Sequence, residues 1–278
     1  MTASALASST FHSIQGKQVE AAFQAAPRAR GAILLLHEAL GSVRYWKDFP
    51  AQLGRATSYH VLSYSRPGHG DSEGPREDRN AAHYTRQVNE VIPALLALYG
   101  ISDPVLYGHS EGAAIAMLYA ASGRSTRALI LESPHLNPGR QVRKYIQNLV
   151  KSYPGSQLQS RLAKYHRDAD GVFDHWAQWV LGMKPEDYFP RQLLRRIASP
   201  VLVLQGERDE FGTGSHLEIL RQHLPDLESH VFAEAGHLPH REQTDAFIAR
   251  VAQFLAERNF SARLSQPAPS NKRSKETP

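Results

Sequence analysis

The 278-residue sequence predicts an α/β fold: a mostly parallel central sheet flanked by helices, with a helical lid inserted between two strands. Three observations lead there. Short, unbroken apolar runs alternate with longer amphipathic stretches, the pattern of parallel strands wrapped by helices. Three loops that follow apolar runs carry, in chain order, a serine, an acid and a histidine. The alternation breaks once, between residues 136 and 191, where no buried strand can be read.

Residues 11–23 alternate loosely and predict one or two antiparallel edge strands. Ala32–Leu36 (AILLL) is apolar throughout, as a strand buried on both faces must be. His60–Tyr64 (HVLSY), 104–107 (PVLY), 127–131 (RALIL) and 200–204 (PVLVL) repeat the theme, and 229–232 (SHVF) is a weaker last strand. Residues 80–99 set Val88, Val91, Ile92, Leu95, Leu96 and Leu98 at near-helical spacing, with Pro93 inside the pattern predicting a kink. Residues 111–121 form a small-residue helix and 245–254 an amphipathic final one. The expected division is a core of 1–135 and 192–256, a lid of 136–191 and a tail of 257–278. The lid would lie over the carboxyl ends of the strands, where open α/β sheets bind ligands. The tail, rich in Ser, Pro and Lys/Arg, has too little apolar surface to fold.

Composition narrows the function. With 41% apolar and 21% charged residues the chain reads as globular. The absence of cysteine excludes disulfides, thiolate chemistry and Cys-based zinc sites, and suits the cytoplasmic location expected here. No stretch approaches the ~20 apolar residues that span a bilayer, so no membrane association is expected. The N-terminus lacks the charged and apolar parts of a secretory signal. The tail carries +3 of the formal +5, which leaves a nearly balanced body and no expectation of nucleic-acid binding. His37, His69 and His83 form no metal-ligand spacing, and the loop 66–72 lacks the spacing of a phosphate loop. Neither metal nor organic cofactor is expected.

The candidate nucleophile is Ser110. Gly108-His109-Ser110-Glu111-Gly112 fits G-x-S-x-G, follows the run PVLY and opens the helix EGAAIAMLYAA, the strand–turn–helix context that motif requires. So sharp a turn needs small residues two before and two after the serine, and the helix N-terminus directs its dipole toward charge developing there. A serine hydroxyl also needs a base. The loop after PVLVL, QGERDE, offers Glu207, Asp209 and Glu210, and the spacing G-x-x-D selects Asp209. After SHVF comes Ala235-Gly236-His237, which selects His237, with His240 as runner-up. His109 reads as a structural or pocket-lining residue.

The run AILLL entering HEALGS (37–42), then SRPGHGDS (65–72), GHSEG, QGERDE and AGH, together resemble the α/β-hydrolase superfamily, in an esterase-like bacterial subgroup, over residues 32–255. The resemblance implies the catalytic set Ser110, Asp209 and His237, and an oxyanion hole made by the backbone N–H groups of Ala39 and Glu111. Glu38 stands where the family usually carries Gly, which puts a side chain, and a carboxylate, into that loop. The implied activity is a serine hydrolase that cleaves a carboxylic ester or thioester through an acyl-enzyme. Lactonases and C–C bond hydrolases of meta-cleavage type share the triad and stay open, as does a non-catalytic small-ligand binder. Serine at 110 argues against the aspartate-dependent haloalkane dehalogenases and epoxide hydrolases.

The lid bears on the substrate. Residues 138–167 hold Arg140, Arg143, Lys144, Lys151, Arg161, Lys164 and Arg167 and no acid. The functional reading is an entrance for anionic small molecules such as acyl-CoA; the plainer one is a solvated helix surface balanced by Asp168, Asp170 and Asp174. Phe173, Trp176 and Trp179 have the spacing to pack the lid on the core. Trp176 and Trp179, with Glu38 and His109, are the candidate substrate contacts.

Overall fold

A computed structural model describes residues 8–74, 81–184, 189–211 and 214–258, so the tail expected at 257–278 lies almost wholly outside the described residues. Eight strands form one sheet in the order β1-β2-β4-β3-β5-β6-β7-β8. They are β1 (Thr10–Ile14), β2 (Lys17–Gln24), β3 (Ala32–Leu36), β4 (His60–Tyr64), β5 (Val105–His109), β6 (Ala128–Glu132), β7 (Val201–Gly206) and β8 (Leu227–Phe232). The pairs β1–β2 and β2–β4 are antiparallel, which gives the two edge strands expected for 11–23; the pairings from β4 through β8 are parallel.

Alternating side chains explain why the central strands are apolar throughout. Leu34 and Leu36 of β3 join Leu106, Leu129 and Val203 on one face, while Ile33 and Leu35 join Val105, Ile130 and Leu202 on the other. The first face is covered by α3 (Ile92–Leu98), α4 (Glu111–Ala121) and α8 (Gly214–His223); the second by α1 (Phe49–Thr57) and α10 (Thr244–Glu257). Each fully buried leucine or isoleucine contributes about 1.5–3 kcal/mol relative to exposure.

The helix expected at 80–99 is in three parts: α2 (Ala81–Arg86), a π-turn at Gln87–Val91, and α3, which carries Pro93 in its first turn. Proline has no N–H to give and crowds the carbonyl four residues back, so the helix widens just before it.

Between β6 and β7 lie α5 (Arg140–Ser152), α6 (Gln157–Leu162) and α7 (Ala169–Gly182). These cap helices have their own apolar centre, in which Tyr153 and Phe173 stack at 3.6 Å, and Val142, Ile146, Trp176 and Val180 cluster with Ala39 from the loop after β3. A short α9 (Pro239–Glu242) precedes α10. No helix among the described residues is long and apolar enough to cross a membrane.

Strand order reverses between β3 and β5, since the chain moves outward to β4 on one side and to β6 on the other. Such a switch opens a crevice at the carboxyl ends of the strands. The end of β3 and the start of α4 meet there with no room to spare. A Cβ on Gly112 would lie 2.0 Å from the Leu36 carbonyl oxygen, and one on Gly108 would lie 2.4 Å from that of Gly112. Gly112→Ala therefore forces backbone apart. It is expected to cost about 3 kcal/mol and, at roughly 2–4 °C per kcal/mol in a domain of this size, to lower Tm by about 10 °C. An unchanged melting curve by circular dichroism would contradict that packing.

Candidate active site

Ser110 stands on the turn from β5 to α4 with φ 54° and ψ −112°, in the left-handed half of backbone space that a side chain rarely adopts. Such strain costs on the order of 1–3 kcal/mol and persists where surroundings enforce it. They do so here: the Ser110 N–H donates to the Glu132 carbonyl at the end of β6 (2.9 Å), and its own carbonyl accepts from Ala113.

Asp209 lies in the turn after β7 and His237 in the loop after β8. The two loops touch backbone to backbone: Arg208 N–H donates to the Ala235 carbonyl (2.8 Å), and a Cβ on Gly206 would lie 1.9 Å from the Gly236 oxygen. This contact explains the spacing G-x-x-D. It brings both Asp209 carboxylate oxygens to 2.9 and 3.0 Å from His237 Nδ1. The carboxylate also accepts from Gln205 Nε2 and the Phe211 N–H, each at 2.9 Å. With Nδ1 held by the acid, Nε2 is the face left to a substrate. Ser110, His237, Ala39 and Glu111 all line one cavity of about 180 Å³ beneath the cap, and the Ser110 hydroxyl makes no hydrogen bond to the imidazole.

Alpha/beta hydrolase sequences match residues 33–250 as a family. The chain belongs to the alpha/beta hydrolase family. It is a hydrolase-type enzyme by its relatives. It is 26% identical to mouse serine hydrolase BPHL over 84% of this chain and 82% of that protein. It is 28% identical to 2-succinyl-6-hydroxy-2,4-cyclohexadiene-1-carboxylate synthase of Yersinia pseudotuberculosis, over 81% and 87%. Among solved structures, an alpha/beta hydrolase fold protein from Chitinophaga pinensis superposes with a TM-score of 0.71 at 18% identity, covering 90% of this chain and 97% of that one. The esterase EaEST of Exiguobacterium antarcticum gives 0.70 at 16%, covering 89% and 99%. At those identities the structures speak for the fold alone.

The other candidate contacts of this alpha/beta hydrolase divide. Glu38 and Trp176 line the cavity; His109 and Trp179 are not in its wall. His109 Nε2 instead lies 3.0 Å from the His237 carbonyl, which steadies the histidine loop from below. Trp179 donates its indole N–H to the Tyr84 hydroxyl (3.1 Å), packing the cap on the core. Glu38 does not have positive φ, so its Cβ is accommodated where the family usually has Gly. Its carboxylate accepts the Leu40 N–H at 2.8 Å and so closes the loop on itself. Of the competing acids, Glu207 accepts the Glu234 N–H (3.2 Å), and Glu210 lines the cavity.

Two buried residues escaped the sequence reading. Arg66 donates to the carbonyls of His37 (2.5 Å) and Glu38 (2.9 Å) and to the Glu111 carboxylate (2.6 Å), whose other oxygen accepts from the Tyr84 hydroxyl (3.0 Å). His37 takes the Arg66 N–H on Nε2 (3.0 Å) and therefore presents Nδ1–H to the Glu38 carbonyl (2.7 Å). In a trans peptide the carbonyl and the following N–H point opposite ways. Tethering the Glu38 oxygen thus fixes the direction of the Ala39 N–H. The second residue, Glu132, binds the His240 N–H and Nδ1 (both 2.9 Å) and the Tyr107 hydroxyl. The only earlier signal was a carboxylate ending an apolar strand.

Electrostatics separate His237 from its neighbours. Burial pushes His109 and His135 down to about 3 and also lowers His216, so these rings are neutral at neutral pH. Burial acts the same way on His237, but the Asp209 hydrogen bond and charge, with the charges of Glu38 and Glu210, outweigh it and raise that ring above 6.5. Burial likewise opposes ionisation of Asp209, and the His237 contact, with the Phe211 N–H and Gln205, overrides it and holds the carboxyl well below its usual range. A base must be neutral to accept a proton, so kcat/KM is expected to fall as pH drops through a value above 6.5. In Asp209→Asn that acid limb should move to lower pH and kcat should fall by roughly 10⁴, as when a buried triad acid is neutralised. A pH–rate profile with an unmoved limb would contradict the pairing.

Proposed function

We propose that the protein is a serine hydrolase that cleaves a carboxylic ester or thioester with a short acyl group. The observation that carries this is the His237–Asp209 pair opening on the same cavity as Ser110. As the Ser110 hydroxyl attacks the carbonyl carbon, its proton passes to His237 Nε2, and Asp209 stabilises the resulting imidazolium through Nδ1–H. The carbonyl π pair moves onto oxygen, where the N–H groups of Ala39 and Glu111 stabilise it. Collapse expels the alcohol or thiol, which takes the proton from His237. Water then repeats the sequence on the acyl-enzyme, with His237 as base again, and releases the acid.

The acyl group is read from the walls. Val142, Ile146, Leu149, Trp176, Val180 and Phe211 supply an apolar lining. The volume, about 180 Å³, falls below the ~300–1,000 Å³ typical of sites for drug-sized ligands. Among p-nitrophenyl esters of graded length, kcat/KM is expected to peak at acyl chains of about two to six carbons. Ser110→Ala should lose about six orders of magnitude in kcat with an unchanged melting curve. A rate that climbs steadily to long chains contradicts the chamber, and retained turnover in the alanine variant contradicts the mechanism.

A further inference from the structure

The seven cap cations are not equivalent. Arg143 is used inside the fold, donating to the carbonyls of Val180 (2.7 Å), Met183 (2.8 Å) and Leu181 at the end of α7. Arg167 is tied to the core, through its N–H to the Gly70 carbonyl and its guanidinium to that of Asp71. Two of the acids that would balance the others are occupied. Asp168 caps α7 by accepting the Gly171 N–H (3.1 Å), and Asp170 accepts from the Tyr153 hydroxyl (3.0 Å) and Gln159 (2.9 Å). Arg140, Lys144, Lys151, Arg161 and Lys164 are exposed, and among the described residues none makes an ion pair or side-chain hydrogen bond.

Two of these five adjoin the catalytic cavity. Leu158 and Arg161 belong to its wall. The same two residues, with Ser156, Ser160 and Lys164, also line an open depression along α6. Leu158 and Arg161 are therefore the wall shared by the catalytic chamber, whose other lining includes Glu38 and Glu210, and a surface that offers two cations and two serine hydroxyls and contains no carboxylate. Cations held in no ion pair, beside hydroxyl donors, are the chemistry that receives a phosphate.

We propose that Arg161 and Lys164 form a head-group subsite for a substrate that carries phosphate on a flexible arm, its acyl end lying in the chamber. The inference rests on the serine-hydrolase reading and names the substrate class of that same site. Free CoA thioesters and the phosphopantetheine thioesters of carrier proteins both have this chemistry.

The test compares kcat/KM for butyryl-CoA, butyryl-phosphopantetheine and butyryl-pantetheine, which share an acyl group and a thioester and differ in phosphate. The expected result is a preference of about tenfold for the phosphate-bearing substrates that weakens with added salt. In the double variant R161Q/K164Q the ratio should fall toward one. A preference confined to butyryl-CoA assigns the subsite to the further phosphates of CoA; one shared by both assigns it to the phosphate that a carrier arm also bears. Equal rates in the wild type, or a ratio that survives in the double variant, overturn the proposal. Calorimetric titration of CoA into Ser110→Ala separates subsite from chemistry. Binding lost on adding R161Q/K164Q supports the subsite even where turnover fails, and no binding at millimolar CoA overturns it.

Discussion

Arg66 lies between the loop after β3 and the first turn of α4, with 1% of its side chain exposed and the Glu111 carboxylate against it at 2.6 Å. Both groups that would stabilise an oxyanion hang on this contact. One is the N–H of Ala39, aimed by the tether on the Glu38 carbonyl; the other is the N–H of Glu111 itself. A carboxylate buried one residue after Ser110 would oppose negative charge developing beside it, and the guanidinium cancels that field. Removing one member of such a buried pair typically costs about 3–5 kcal/mol, since the other is left uncompensated. The chain of contacts continues through Tyr84 to Trp179, so the cap is connected to the same hub. His166 adds a second link from the cap: it takes the Gly70 N–H on Nδ1 and meets the Leu40 carbonyl with Nε2, each at 2.9 Å. His69 holds the Ala39 carbonyl at 3.1 Å. Four successive carbonyls of this loop, from His37 to Leu40, are thereby held by side chains.

Two histidine–carboxylate pairs stand near the serine, and access distinguishes them. His237 with Asp209 opens on the cavity. His240 with Glu132 is 1% exposed and enclosed by the rings of Trp46 and Phe49. The second pair has a structural task. The Glu132 carbonyl receives the Ser110 N–H while its carboxylate anchors the His240 end of the histidine loop, so one residue ties the Ser110 turn to the His237 loop. Three hydrogen bonds hold the charge in place. Burial opposes the ionised form, yet electrostatic attraction to the His240 and His109 rings and the bonds from His240 and Tyr107 bring the Glu132 carboxyl down to about 2.

Most of the fold was legible in the sequence because it depends on local pattern. AILLL and PVLVL are apolar throughout since both faces of those strands are covered. The candidate site was legible where a motif encodes a steric demand: Gly108 and Gly112 around the elbow, Gly206 against the histidine loop. What stayed hidden depends on partners far along the chain. Arg66 and Glu111 are 45 residues apart, Glu132 and His240 are 108, and neither pairing leaves a trace in its own neighbourhood. Trp179 had the spacing to pack the cap on the core, and only the position of Tyr84 decides which group its indole bonds to. The cap cations show the same division, since the pairing of Arg143 with the end of α7 arises from the tertiary fold.

In the proposed mechanism Ser110 is the nucleophile and the N–H groups of Ala39 and Glu111 are aimed at the oxygen of its tetrahedral adduct. A crystal structure of the protein inactivated by a fluorophosphonate tests both at once. The expected adduct has phosphorus bonded to Ser110 Oγ, with one phosphoryl oxygen about 2.7–3.1 Å from each of the two backbone nitrogens. An unmodified serine, or an adduct whose oxygen points away from that loop, would contradict it.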